Sequence, residues 1–211
     1  MMNAWMLPLI GYLLGSIPSA VWIGKTFYGK DVRREGSGNA GATNAFRVLG
    51  WKAGLGATVL DVGKGALGTS LPIITATSAP PGWSIEVFML ACGLSAIVGH
   101  FFPVFAGFKG GKGVNTSAGV LLMLSPIAVL VALATFAIVF YKTRYVSLGS
   151  IVAATSLVIS TTFLWTTGRG SLFMVGAGTV IAIAVIVMHR SNIGRLRAGT
   201  EAKFTGKSSG N

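Results

Sequence analysis

The sequence predicts an all-α integral membrane protein with seven transmembrane helices, and three observations carry that prediction. The 211 residues are 52% hydrophobic and only 10% charged, unlike an ordinary soluble domain. Apolar runs of about 18 residues or more, the length that spans a bilayer core, occupy 4–22, 53–74, 85–104, 114–140, 146–165 and 171–188. Of the 17 Lys and Arg, fifteen fall in four places: 25–52, the glycine run with Lys109 and Lys112, 141–145, and the stretch from Arg190 onward. Basic residues gather in cytoplasmic loops, so all four places are expected on the cytoplasmic side.

Run 4–22 has no basic residue ahead of it and is followed by Lys25 and Lys30. That is the reverse of a cleavable signal, so a retained span with its N-terminus outside is expected. Run 53–74 leads out to 75–84, a loop with Pro80 and Pro81 but no Lys or Arg. Run 85–104 returns to Lys109 and Lys112. If 114–140 crossed once, Lys142, Arg144 and the basic end would lie outside, against the charge rule. Two crossings remove the conflict. Ser125-Pro126 marks the break, because proline removes a helix hydrogen bond and disfavours helix at the preceding residue. Each arm then has about a dozen residues, about 18–20 Å of helix. Arms so short must tilt, thin the membrane or form a re-entrant hairpin. A six-span chain is the competing reading, and it breaks the charge rule at two loops. With seven spans the C-terminus is cytoplasmic and Arg169 is the one basic residue in an outside loop. Residues 1–202 read as a single multi-spanning membrane domain, and 203–211 as a polar, frayed C-terminal tail. Gly11 and Gly15, with Gly63, Gly65 and Gly68, are small residues suited to close helix packing.

Several chemistries are excluded. The lone Cys92, inside an apolar run, permits no intrachain disulfide and no Cys-based zinc site. The five acidic residues are scattered at Asp31, Glu35, Asp61, Glu86 and Glu201, so no carboxylate cluster exists for a metal or a two-carboxylate mechanism. No Ser-His-Asp triad is recognisable. The net charge of +12 is confined to membrane-flanking segments, which points to anionic lipid or substrate and away from nucleic acid.

The basic segments carry phosphate-type chemistry. Gly36, Gly38 and Gly41 satisfy G-x-G-x-x-G, but a membrane helix precedes them where a dinucleotide site requires a strand. The nest physics survives: glycines let backbone N–H groups converge on an anion. Ser37, Asn39, Thr43 and Asn44 add neutral donors, and Arg47 adds a planar fork. Phe108-Lys109-Gly110-Gly111-Lys112-Gly113 resembles a P-loop but fails it, with Ala106 at the first Gly position and Gly113 where Ser or Thr would hold Mg²⁺. Lys109 and Lys112 on a glycine turn before a helix still suit phosphate. The aromatics around Pro103 fit an interfacial belt or an acyl-chain groove, the belt being the plainer reading. Ser147 begins a helix, where an N-cap is the plain alternative. His189 and Asn192 lie one turn apart, and His189 suits a general base, a phosphate donor, or a snorkelling interfacial histidine. Asp61 and Lys64, at i and i+3 inside an apolar run, are either functional or a buried structural ion pair.

Taken together, Gly36 to Asn44 with Arg47, Asp61-x-x-Lys64-Gly65, Gly99-His100 through Gly113, Tyr145-Val146-Ser147, and His189-Arg190-x-Asn192-Ile193-x-Arg195-Leu196 resemble the bacterial membrane acyl-phosphate:glycerol-3-phosphate acyltransferases, in order and over nearly the whole chain. The resemblance implies transfer of a fatty acyl group from acyl phosphate to the sn-1 hydroxyl of glycerol 3-phosphate. Lysophosphatidic acid and inorganic phosphate are the implied products, without metal or cofactor and without acyl-CoA or acyl carrier protein as the usual direct donor. It implies seven helices in the bacterial cytoplasmic membrane, a site on the cytoplasmic face, and a functional link to the phosphate acyltransferase that makes acyl phosphate. It also implies that Ser37, Asn39, Arg47, Lys109, Ser147, His189 and Asn192 line the site. Asn115 departs from the family, which carries Ala there.

The candidate catalytic residues are therefore His189, Ser37, Asn39 and Lys109. The candidate phosphate-binding residues are Gly36, Gly38, Gly41, Thr43, Asn44, Arg47, Gly110, Gly111, Lys112, Ser147, Asn192 and Arg195. The expected partners are glycerol 3-phosphate, fatty acyl phosphate and membrane lipid. An acyl phosphate is already activated, so positioning the hydroxyl and stabilising developing charge can suffice. The alternative class is a transporter for an organic phosphate anion, which would need a midplane site reached from both faces.

Overall fold

The computed structural model describes residues 3–205, which form ten α-helices and two short 3₁₀ turns with no strand among them. The all-helical class expected from the sequence is what the chain adopts. Two compact units divide it, residues up to Met123 and Leu124–Thr205.

The first unit holds α1 (Met6–Gly15), α2 (Ser19–Tyr28), α3 (Ala42–Leu49), α4 (Trp51–Ile74), α5 (Ile85–Phe101) and α6 (Val114–Leu124). The run expected as one span over 4–22 is two helices, α1 and α2, bent by 43°. Pro18 causes the break, having no N–H to continue the ladder, and the Ile17 carbonyl beside it accepts from Ser19 N–H at 3.0 Å. Helices α1, α4 and α5 pack together, and α2 and α3 pack on α4. Small residues permit the close approach. A Cβ on Gly15 would collide with the Ala96 carbonyl of α5, and one on Gly65 with the Thr116 carbonyl of α6. Gly63, by contrast, faces open space. Association in lipid rests on such van der Waals packing, so these contacts locate the helices. Two apolar clusters result, one around Ala45, Val48 and Ala57 and the other around Leu7, Leu71, Phe88 and Cys92. Cys92 is fully buried.

The second unit holds α7 (Pro126–Thr143), α8 (Val146–Thr166), α9 (Leu172–Met188) and α10 (Arg190–Arg197). Here α8 packs on both α7 and α9, and α10 touches α8 and α9. The break at Ser125-Pro126 is present, with Pro126 at the first position of α7, where a missing N–H costs nothing. Two short arms were expected on either side. Only α6 is short, at 11 residues; α7 runs for 18 because its helix continues through Tyr141 and Lys142 to Thr143. The Phe204 N–H donates to the Arg144 carbonyl at 2.8 Å, and its ring meets Phe140 edge-on. Residues 206–211 of the expected tail lie outside the described residues.

Among the described residues, three helical segments are long and apolar enough to cross a membrane by length and composition: Ile85–Ala106, Pro126–Thr143 and Val146–Thr166. The bent pairs α1–α2 and α9–α10 raise the number to five if each is one span. Helix α4 has the length, 24 residues, but carries Asp61 and Lys64.

Candidate functional site

In the first unit the loop before α3 is built around Asn44, which is 1% exposed. Its Oδ1 accepts from Ser37 N–H at 2.9 Å, and its Nδ2 donates to the carbonyls of Val32 and Glu35 at 2.6 and 3.1 Å. The amide that sequence reasoning offered to phosphate is thus engaged by the loop itself. Gly36 and Gly38 have φ of 59° and 70°, a region that strains other residues. Asn39 Oδ1 accepts from Gly41 N–H at 3.0 Å. Ser37 is left exposed on this frame, and Thr43 and Arg47 are half-buried on α3.

Arg33 ties this loop to the next. Its Nη2 and Nε donate to Asp31 at 2.7 and 3.0 Å, and its Nη1 donates to the Ala106 carbonyl at 2.9 Å. The bonded Arg33 guanidinium holds the Asp31 carboxyl well below the usual range, against a burial effect that raises it. The same pairing raises Arg33.

The second glycine segment folds back on the end of α5. Gly111 N–H donates to the His100 carbonyl at 3.1 Å. A Cβ on Gly110 would strike the carbonyls of His100 and Phe101, and one on Gly111 would strike the His100 ring. Lys109 is exposed and Lys112 half-buried. Below them lies a charged layer inside the helices: Asp61 Oδ1 accepts from Ser19 at 2.9 Å, pairs with Lys64 Nζ at 3.0 Å, and lies 3.6 Å from His100 Nδ1. Lys64 Nζ also donates at 2.8 Å to the Ile17 carbonyl, which lies at the Pro18 break. A cavity of about 10 Å³, close to what one water requires, is lined by Ile17, Ala40, Lys64, His100, Gly110 and Gly111 among others.

The second unit gathers another set. Glu201, 9% exposed, accepts from Ser147 Oγ and Asn192 Nδ2, both at 2.6 Å, and from Arg195 Nε at 2.7 Å. Burial pushes its carboxyl up, but the bonds from Ser147, Asn192 and Arg195, with the charge of Arg195, outweigh it and hold it below its ordinary value. Ser147 therefore serves Glu201 and caps no helix; the N-cap of α8 is Tyr145. His189, 3% exposed, stands at the α9–α10 junction with Nδ1 2.8 Å from the Val185 carbonyl. A carbonyl only accepts, so Nδ1 carries the hydrogen of that bond. Burial of His189 sets aside the snorkelling alternative.

The structure thus brings Gly110 and Gly111 to one cavity and Ser147, Asn192 and Arg195 to one carboxylate. Sequence reasoning missed Glu201, Asp31 and Arg33. Glu201 had a signal, as the one acid among Arg190, Arg195, Arg197 and Lys203. Arg33 had none, because its carbonyl partner lies 73 residues away.

A curated relative from Salinibacter ruber, named glycerol-3-phosphate acyltransferase, is 45% identical over 208 residues, covering 93% of this chain and 90% of its own. One of the same name from Listeria monocytogenes is 45% identical over 202 residues, covering 96% and 97%. The crystal structure of PlsY, an integral membrane glycerol 3-phosphate acyltransferase, in its glycerol 3-phosphate form, superposes with a TM-score of 0.83 at 37% identity over 95% of both chains. Its lysophosphatidic acid form gives 0.81 at 35% identity over 96% of both. The family model described as glycerol-3-phosphate acyltransferase matches residues 5–199, and the chain belongs to that family.

Proposed function

We propose that this chain is a membrane glycerol-3-phosphate acyltransferase that takes its acyl group from a fatty acyl phosphate. The observation that carries the reading is the shared fold, over 95% of both chains, with a relative crystallised in its glycerol 3-phosphate form. The local chemistry supports it. Glycine loops with positive φ, exposed Ser37 and Lys109, and half-buried Arg47 and Lys112 give the first unit the groups a phosphate needs. In the second unit, Ser147 and Asn192 hold the Glu201 carboxylate, and Arg195, bonded to it through Nε, adds a cation whose side chain is 43% exposed.

The sn-1 oxygen of glycerol 3-phosphate attacks the acyl carbonyl carbon, the new ester C–O bond forms, and the bond from that carbon to the phosphate oxygen breaks. The hydroxyl proton passes to the departing phosphate or to His189. Donors around both phosphates position the reactants and hold the developing charge, and no enzyme nucleophile is required. Lysophosphatidic acid and inorganic phosphate leave.

The reading places residues 1–202 as one domain crossing the bacterial cytoplasmic membrane seven times, N-terminus outside, C-terminus and site facing the cytoplasm. A phosphate acyltransferase then supplies the donor. The test incubates purified protein with labelled glycerol 3-phosphate and either palmitoyl phosphate or palmitoyl-CoA. Labelled lysophosphatidic acid with equimolar phosphate from palmitoyl phosphate alone is expected. Product from palmitoyl-CoA alone refutes the donor, and product from neither moves phosphate transport to the front.

A further inference from the structure

We infer that Lys64 is a phosphoryl-binding residue, the buried cation at the floor of the first unit's phosphate cradle, with Asp61 and His100 as its positioning residues. The inference rests on the proposed reading that this chain binds phosphate substrates.

Three observations converge on it. First, one small cavity is lined jointly by Ala40 of the first glycine loop, by Gly110 and Gly111 of the second, and by Lys64 and His100. The two segments whose composition suits phosphate therefore meet over a buried lysine. Second, the donor inventory of Lys64 leaves one place. An ammonium has three N–H donors; one goes to the Ile17 carbonyl and one to Asp61 Oδ1, and the side chain lines the cavity. Third, the surroundings hold Lys64 still. Asp61 is fixed by Ser19 and approached by His100 Nδ1, while the His100 carbonyl holds Gly111 N–H and its ring fills the space beside that glycine. Cation and loop thus share one scaffold. A charge inside an apolar helix is costly and typically marks a substrate path, whereas a buried ion pair kept for stability alone gains little over apolar packing.

The ligand chemistry is a phosphoryl oxygen, which either substrate can supply. The test compares wild type with the Asp61→Asn/Lys64→Met double variant, full-length and in detergent. Removing both charges leaves no unpaired buried ion, so the thermal midpoint is expected to stay near that of wild type. Apparent affinity for glycerol 3-phosphate, read without any acyl donor from the ligand-induced midpoint shift, is expected to fall about 10-fold or more. A raised KM for glycerol 3-phosphate assigns the acceptor phosphate, and a raised KM for palmitoyl phosphate assigns the donor. A stable double variant with wild-type affinity and both KM values unchanged overturns the inference. Should the double variant not fold, a crystal structure of wild type with inorganic phosphate decides: an oxygen about 3 Å from Lys64 Nζ supports it, and phosphate bound elsewhere refutes it. Wild type that binds glycerol 3-phosphate without transferring acyl groups sinks the functional reading and leaves this one standing.

Discussion

Replacing Glu201 tests how much of the second unit hangs on one carboxylate. Glu201→Ala leaves two buried donors, Ser147 Oγ and Asn192 Nδ2, without the acceptor they reach at 2.6 Å. Each orphaned buried donor costs about 1–3 kcal/mol, so the loss is about 2–6 kcal/mol. Arg195, whose side chain is 43% exposed, adds little because water solvates it once released. Glu201→Gln keeps an acceptor oxygen but loses the charge, and falls between the two. Unfolding of the helical protein by SDS titration in mixed micelles should rank the stabilities wild type, Gln, Ala. A pH series sharpens the test. The carboxyl is held below its ordinary value, so its contribution is complete above the unfolded value of about 4.3. It is lost as pH falls through the lowered folded value. The gap between wild type and Glu201→Gln should therefore be constant from pH 7 to pH 5 and close at more acid pH. A Glu201→Ala protein within 1 kcal/mol of wild type, a margin below one orphaned donor, would refute the reasoning.

Three further outcomes follow from the first unit. Asn44→Ala removes three hydrogen bonds to loop backbone and should cost about 2–4 kcal/mol, with protease cleavage appearing between Val32 and Gly41. Gly110→Ala should raise the KM for a phosphate substrate more than Gly111→Ala does, since its Cβ meets two backbone carbonyls that cannot yield. Kinetics on the two variants checks the order. Gly15→Val drives a branched side chain into the Ala96 carbonyl and should lower stability by at least about 2 kcal/mol, read by the same SDS titration.

Helices were legible wherever apolar length or a proline spoke for itself, as at Ser125-Pro126. Helix α7 runs longer than the sequence predicts because Lys142, in a segment that reads as loop, sits in the last helical turn, where a basic residue is favourable. The 4–22 run concealed its break because Pro18 lies close to the end of a long apolar stretch and periodicity carries on across it. In the site, residue type was legible and partner was not. Asn44 has the donors expected of a phosphate ligand, yet only the fold reveals that Val32, Glu35 and Ser37 already use its amide. Arg33 and Ala106 are unremarkable in sequence and joined only in space.

The donor count around Glu201 also separates two residues that sequence reasoning grouped together. A serine has one O–H to give, and Ser147 gives it to Glu201. Toward an anion it then presents lone pairs, so its contribution is to hold the carboxylate. Arg195 differs: Nε bonds Glu201 while the side chain as a whole is 43% exposed, and a guanidinium has its two Nη groups besides, a fork suited to phosphate. Ser147→Ala should therefore cost about 1.5–3 kcal/mol of stability, the range for a hydrogen bond to a charged group. Arg195→Lys should lose less than about 1 kcal/mol yet raise the KM for a phosphate substrate about 10-fold, because an ammonium cannot reproduce the fork. A Ser147→Ala protein of unchanged stability, or an Arg195→Lys enzyme of unchanged KM, would show that the carboxylate and the substrate divide these donors differently.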